Sequence, residues 1–433
     1  MKAKHLEDRA DRSSGKEDLR KEWLQLIQRA RRVYFFQKWI DQRKERDISF
    51  GEITRWFYED LRYLVQWNIN IFLQLRAYGA IIKQVYGLSY IEQWYRMVYL
   101  VTVIRTNAKQ LRKNHLFEEN RWNRVKEFSF SRHFKVHNDV LGYPHHKEIE
   151  IIADKFKFFE YCRSKQLKTP EALAIFKRGK ITFPSDGSFE LPKSDLFVKE
   201  LDTGQGTGAK KFLYKDHLYH DKDDKLFSEE DLHDFLTEYS QSTNNLIVQN
   251  VLKNHDSWKK FTNGNLASCR FITGISPDDE STIIPLFASL RMPFGNSDVD
   301  NYSRGGLAAS IDLNSGRLSA AVTGNPMYGS FSYDIHPDSG HPIKGEVLPH
   351  WNGLIEFVKE YHRHFQTLSI GWDVSLTKNG FTMLEGNVEW GSDVIEAPSN
   401  QLIADSVYPK WFYGWAKQMQ GKEVIPYALP WSK

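Results

Sequence analysis

"GWDVSLTKNGFTMLEGN", residues 371–387, sets an Asp, a Glu and an Asn on either side of a tight turn. Two β-rich runs, "SIGWDVSL" and "FTMLEGN", flank the turn tetrapeptide "TKNG", where Gly380 can take a positive φ. A hairpin is expected, with alternate side chains on opposite faces. A three-residue loop, Lys378–Asn379–Gly380, pairs Thr377 with Phe381 and sets Asp373 directly opposite Glu385, their Cβ atoms about 4.5–5.5 Å apart. Asn387 then falls on the same face. A two-residue Asn379–Gly380 loop sets Asp373 against Gly386 instead, so the reading requires an odd-numbered loop. Two carboxylates that close repel each other unless a cation or a proton lies between them. Asn387 completes an all-oxygen set, which suits Mg²⁺ or Mn²⁺ bridging substrate phosphates. The apolar neighbours Ile370, Trp372, Val374, Met383 and Leu384 argue against a solvated acidic hairpin.

Outward from the hairpin, the chain of 433 residues is long enough for two or three structural units. Its 41% hydrophobic and 26% charged residues are those of a globular protein. Two cysteines, Cys162 and Cys269, make no disulfide framework and fit a reducing compartment. The opening residues lack the apolar core of a signal peptide. The longest greasy run, "MVYLVTVI" (97–104), is far shorter than the roughly 20 residues of a membrane span. A cytoplasmic protein is expected, with peripheral membrane contact left open. Charge is uneven: residues 1–130 carry 26 Lys and Arg against 16 Asp and Glu. Solvated helical faces explain this balance, although an anionic polymer, nucleic acid or membrane surface would also suit it.

The first third reads as helical. "SGKE" (14–17), "SFGE" (49–52) and "SYIE" (89–92) are Ser-x-x-Glu capping boxes ahead of periodic apolar runs. Trp23, Leu24, Ile27, Tyr34, Phe35, Trp39 and Ile40 recur near helical spacing, as do Trp56, Phe57, Leu61 and Leu64, and read as core rather than as a base-stacking platform. Near "HNDVLGYPHHK" (137–147) the character changes. Strands are expected over 194–201, 245–252, 268–275, 283–292 and 306–313, and helices over 228–240 and 351–366. That irregular alternation gives an α+β fold class. Neither GxGxxG after a strand nor GxxxxGK[ST] occurs.

The hairpin sequence resembles the metal-binding hairpin of the ATP-grasp superfamily, and the whole chain resembles its sugar-transfer-associated family over roughly residues 140–420. The resemblance implies two α+β subdomains clamping ATP (136–433, with a lid at about 168–250) behind a helical region (1–135). It implies metal ligands Asp373, Glu385 and Asn387. By the same resemblance "DKFKFFEYCRSKQLKTP" (154–170) supplies a phosphate lysine, Lys155, and "LFVKELDTGQGTGAKKF" (196–212) a second, Lys199, followed by lid glycines Gly204, Gly206 and Gly208. "LIVQNVLKNHD" (246–256) resembles the adenine linker, assigning Gln249, Asn250 and Leu252 to adenine and Asp256 to ribose. Many relatives carry Glu at the place of Asn250. "LASCRFITGI" supplies Arg270 toward phosphate, and Asn301, Arg304, Gly305 and Gly306 resemble an acceptor-side loop, with His336, His341 and Lys344 matching more loosely.

The activity implied is joining a carboxylate to an amine at the cost of ATP and Mg²⁺ (or Mn²⁺). In it Lys155 and Lys199 neutralise phosphates, and Arg270 and Lys199 serve the developing charge. The expected partners are small-molecule or glycan carboxylates and amines, and no nucleic acid. Phosphoryl transfer to another acceptor and a nucleotide-binding scaffold for glycan-modifying partners remain open beside it. The histidine pairs 145–146 and 336/341 show no zinc-scaffold spacing.

Overall fold

The computed structural model describes residues 17–28, 50–130, 146–184, 189–201, 208–242, 245–297 and 300–419, with the backbone alone for 50–64, 146–147 and 242. Ser14, Ser49, Tyr34, Phe35, Trp39, Ile40 and His145 therefore lie outside the described residues, as do Gly204 and Gly206. The chain forms two compact units. One comprises residues 1–142, 322–332 and 391–433, the other 143–321 and 333–390. The sequence-based boundary was placed at 135/136; residues 322–332 and 391–419 group with the helices.

The first unit contains helices at 17–28, Phe50–Tyr86, Tyr90–Thr102 and Tyr408–Met419. The long helix stops where Gly87 (φ 72°) closes its last turn onto the Lys83 carbonyl, a position that a side chain would strain. Three residues later the next helix starts on the expected capping box: Ser89 Oγ accepts from the Glu92 N–H (3.2 Å), and the Glu92 carboxylate accepts from the Ser89 N–H (2.9 Å). Trp23 is fully buried, edge-on to Tyr408 and Phe412 at 5.3 and 5.2 Å. Arg20 and Arg124 both bridge Glu127 and Asp405. Glu396 is buried, accepting from the Ser129 and Ile403 N–H groups.

The second unit is built on two sheets. In the first, β1 (Ala172–Lys177), β2 (Lys180–Phe183), β3 (Leu196–Glu200), β4 (Lys210–Lys215), β5 (Leu218–His220), β6 (Leu226–Phe227) and β7 (Leu246–Asn250) lie in the order β2-β1-β7-β3-β4-β5-β6. Every neighbouring pair is antiparallel. Leu232 and Leu236 of the helix Glu229–Ser242 belong to the same core as Phe176, Val198 and Val248.

The second sheet comprises β8 (Ser268–Ile275), β9 (Ile283–Met292), β10 (Leu307–Ser310), β13 (Ser369–Thr377) and β14 (Gly380–Asn387), ordered β10-β9-β8-β13-β14, with the two-residue strands β11 (Ala321–Val322) and β12 (Ser332–Tyr333) beyond β10. β8 and β13 are buried along their whole length, so that polar residues such as Ser268, Arg270, Thr273, Asp373 and Ser375 are enclosed together with their apolar neighbours. Helices Lys155–Ser164 and Trp351–His362 pack around Trp372 through Phe158, Cys162, Leu354, Val358 and Tyr361. The Trp372 indole N–H donates to Thr273 Oγ1 (2.8 Å), so the polar atom of this large core side chain is satisfied.

Candidate active site

The hairpin β13–β14 does not use the expected odd-numbered loop. Thr377 pairs with Gly380 across a two-residue Lys378–Asn379 turn, with Gly380 at φ 94°. Register then runs Val374 to Met383 and shifts, so that Asp373 still opposes Glu385 and Gly371 opposes Asn387. Leu384 is the extra residue of a β-bulge. Bulges bend a strand and re-aim side chains, and here Leu384, Glu385, Gly386 and Asn387 all line one cavity. The pairing was anticipated correctly, but its cause lies at the bulge and not in the loop.

This cavity, about 1080 Å³, lies within the second unit and draws residues from both sheets. Asp373 lines it and is buried, held by two arginines. Arg270 Nε and Nη2 donate to its two oxygens at 2.5 and 3.1 Å, and Arg291 Nη2 donates at 2.9 Å. Burial alone would raise the Asp373 pKa. The two guanidinium groups overcome that and hold it down at about 2. Glu385, opposite, is shifted upward by burial and by the Asp373 charge, with Lys199 pulling the other way. Lys199 on β3 is itself shifted downward, first by burial, while Glu385 and Asp373 counteract and Lys155 adds like-charge repulsion. Lys155 stands at the start of its helix, after the Asp154 N-cap, and its ammonium donates to the Leu201 carbonyl at 3.0 Å.

Among the described residues no group of three or more His, Cys, Asp or Glu forms a metal cluster. The donor set that fits a hard cation is two carboxylates and one amide. Asn387 Nδ2 donates to the Gly371 carbonyl (3.3 Å), leaving its Oδ1 as the acceptor. Asp373 and Glu385 face each other across the hairpin, two like charges whose repulsion a divalent ion would relieve. Arg270 and Arg291 would act as the orienting groups behind Asp373.

Of the other expected residues, Gln249, Asn250, Leu252 and Asn301 line the cavity. Gln249 Nε2 donates to the Pro170 carbonyl (3.2 Å), and Asn250 Oδ1 accepts from Ser194 Oγ (3.0 Å). Asp256 does not line it; it is exposed and paired with Lys259 at 2.5 Å. Arg270, expected to face phosphate, lies behind Asp373 instead, and the cavity wall is made by Arg291. Gly208 (φ 74°) sits against Glu200, whose carboxylate a Cβ would strike. Arg304, Gly305 and Gly306 form a turn outside the lining; Gly305 has φ 99°, and a Cβ on Gly306 would meet the Asp300 carbonyl. His336 is buried on the Pro293 carbonyl, His341 pairs with Glu346 and Lys344 with Asp334, so none of the three reaches the cavity.

Sequence reasoning missed Arg291, Asp300 and Lys211. Arg291 donates to Ser268 Oγ, which donates to Asp300, and burial raises the Asp300 pKa against the pull of Arg291. Lys211 donates to Asn265 Oδ1 (3.0 Å) at the cavity wall. A signal existed for Arg291: it is the single charge within the apolar strand "IIPLFASLRM".

Two antiparallel sheets with lysines from one and paired carboxylates from the other around a common cavity define an ATP-grasp fold. The model of the family described as sugar-transfer associated ATP-grasp matches residues 140–405, and the chain belongs to that family. Solved structures similar to it include D-alanyl-alanine synthetase A from Vibrio cholerae O1 biovar eltor str. N16961 (11% identity, 62% of this chain and 65% of that one, TM-score 0.36). The D-alanine–D-alanine ligase from Bacillus anthracis is similar at 13% identity (62% and 66%, TM-score 0.31). The L-amino acid ligase from Bacillus licheniformis is similar at 10% identity (56% and 42%, TM-score 0.32). The chain thus spans about two thirds or less of the length of these structures. No curated protein sequence matches it.

Proposed function

We propose that the chain is an ADP-forming ligase that joins a carboxylate to an amine through an acyl phosphate, with a sugar-linked acid or amine as one substrate. The observation that carries this reading is the meeting, in one cavity, of the lysines Lys155 and Lys199 with the opposed carboxylates Asp373 and Glu385 and the Asn387 amide. Membership of the family supports the use of ATP; the family's description supports the sugar context and nothing finer.

Phosphoryl transfer to a carboxylate brings two anions together, so positive charge must be fixed in place beforehand. Lys199 on β3 and Lys155 at the start of its helix provide it. The downward shift of Lys199 reflects an ammonium that burial leaves short of compensation, which an incoming phosphate supplies. Glu385, Asp373 and Asn387 would hold Mg²⁺, which when bound screens charge on the transferring group. Arg291 keeps Asp373 oriented from the cavity wall. Leu252, Leu201 and Val251 give the cavity an apolar side on which an adenine ring can lie. The nucleotide, Mg²⁺ and a cytoplasmic setting belong to this proposal.

The test is Mg²⁺-dependent ATP turnover across a grid of uronic acids, amino acids and amines, following ADP and phosphate separately from AMP and pyrophosphate. ADP and phosphate release that needs both a carboxylate and an amine, and is lost in Glu385→Gln, is the expected result. Release with a hydroxyl acceptor alone would replace the ligase by a kinase. ATP binding without turnover anywhere on the grid would favour a scaffold.

A further inference from the structure

Among the described residues 17 large hydrophobic side chains are exposed, and ten of them lie between Val65 and Val103. So dense a cluster on one stretch of surface calls for a partner. On the helix Phe50–Tyr86, Val65, Ile69, Phe72 and Leu73 recur at i, i+4, i+7 and i+8, one face of a helix, and the exposed Arg76 and Lys83 continue that stripe. On the helix Tyr90–Thr102, Ile91, Trp94 and Tyr95 point outward while Gln93, Arg96, Met97 and Leu100 are buried. Phe72 is 63% exposed and Ile91 79%, so most of each side chain meets solvent. The two helices are locked together. Gln93 Nε2 donates to the Gly79 and Leu88 carbonyls, Tyr90 packs over Gly79, and Lys83 Nζ lies 5.8 Å from the Tyr90 ring.

We infer that this helical pair is a docking face for the surface of an anionic phospholipid bilayer. Charge selects that occupant. Across the described side chains of the two helices, from Val65 to Thr102, the charges are Arg76, Lys83, Glu92 and Arg96; Arg96 is buried and Glu92 is held by the Ser89 cap of its own helix, so the stripe itself carries the cations Arg76 and Lys83. A second copy of the chain would set cation against cation, whereas lipid phosphates complement them. Chemistry selects it too. Tyr90, Trp94 and Tyr95 are rings with one polar edge, which settle at the boundary between headgroups and acyl chains, and Phe72, Ile69 and Ile91 are the apolar side chains that such a face buries. No helix among the described residues is long and apolar enough to cross a membrane, so the face lies on the bilayer. Such docking would place the enzyme beside lipid-borne substrates.

The test uses the full chain with sedimenting vesicles of phosphatidylcholine, with and without phosphatidylglycerol, at low and raised salt. Expected is binding to the phosphatidylglycerol vesicles that weakens as salt rises. Arg76→Gln with Lys83→Gln should bind about 30-fold more weakly, and Phe72→Glu with Ile91→Glu at least about tenfold more weakly. All four side chains are exposed, so unchanged melting temperatures are expected, and the charge pair leaves the apolar stripe intact as an independent check. Absence of wild-type binding to anionic vesicles at low salt would overturn the inference, as would equal binding by both double variants. Concentration-dependent dimers in sedimentation velocity, abolished by the Phe72 and Ile91 substitutions, would assign the face to a second copy instead.

Discussion

Asp373→Ala should cost the second unit a large part of its stability before any ligand is considered. The carboxylate accepts three hydrogen bonds from two guanidinium groups, and all three side chains are buried. Removing it leaves Arg270 and Arg291 charged and uncompensated, a change that costs about 3–5 kcal/mol in comparable buried pairs. For a unit of roughly this size each kcal/mol is worth about 2–4 °C, so a fall in Tm on the order of 10 °C is expected. The pH dependence gives an internal check. The Asp373 pKa is depressed from 3.8 to about 2, so its contribution is present above about 4 and is lost as pH falls through 2. That difference is worth on the order of 2 kcal/mol. Thermal unfolding by circular dichroism from pH 7 to pH 2.5 should therefore show wild type and variant converging as acid is added. A variant melting within about 2 °C of wild type at pH 7 would refute the argument and would mean that the arginines are hydrated or paired elsewhere.

Glu385→Gln should behave in the opposite way: it relieves like-charge repulsion with Asp373, so the melting temperature holds or rises slightly, while stabilisation by ATP with Mg²⁺ in a thermal-shift assay disappears. Lys199→Met should weaken nucleotide binding by about tenfold or more in titration calorimetry, since a buried ammonium meeting phosphate makes a strong charge-assisted bond; unchanged affinity would remove Lys199 from the phosphate site. In the first unit burial pushes Glu396 up to about 8, against the Ser129 and Ile403 N–H donors and Arg121 and with the help of Asp393. Its contribution is full below about 4.5 and lost as pH rises through 8. Glu396→Gln should flatten the fall of stability between pH 5 and pH 8, and an unaltered profile would show that Glu396 is ionised in the fold.

The hairpin was legible because its turn residues and its alternation are local, and three oxygen-bearing side chains at fixed spacing are hard to place on a buried sheet otherwise. The bulge was not. An extra Leu384 between Met383 and Glu385 breaks no propensity rule, and only the backbone reveals that the register changes there. Arg270 was placed toward phosphate by resemblance alone; a strand residue has two faces, and choosing between them needs the positions of β9 and β13. Its partner comes from a strand 103 residues away. Asp256 was assigned by resemblance to the adenine linker, yet the short helix Asp256–Lys259 starts at that residue and turns it to solvent. The capping box at Ser89 was readable for the same reason the hairpin was: all its partners lie within four residues. Nothing local announced that residues 391–419 return to the helical unit, since that is decided by which aromatic surfaces meet.

That return has a consequence for how the protein is made. Trp23 packs edge-on against Tyr408 and Phe412, and Arg20 finds one of its carboxylates at Asp405. The helix at 17–28, made before either sheet of the other unit, is therefore completed after both sheets have been synthesised. Through that interval the nascent helical region lacks the surfaces that cover it, and long-range closure of this kind is slow. Truncation ahead of residue 405 would thus do its damage at the opposite end of the chain, and nascent chains stalled there are where chaperone dependence should be sought.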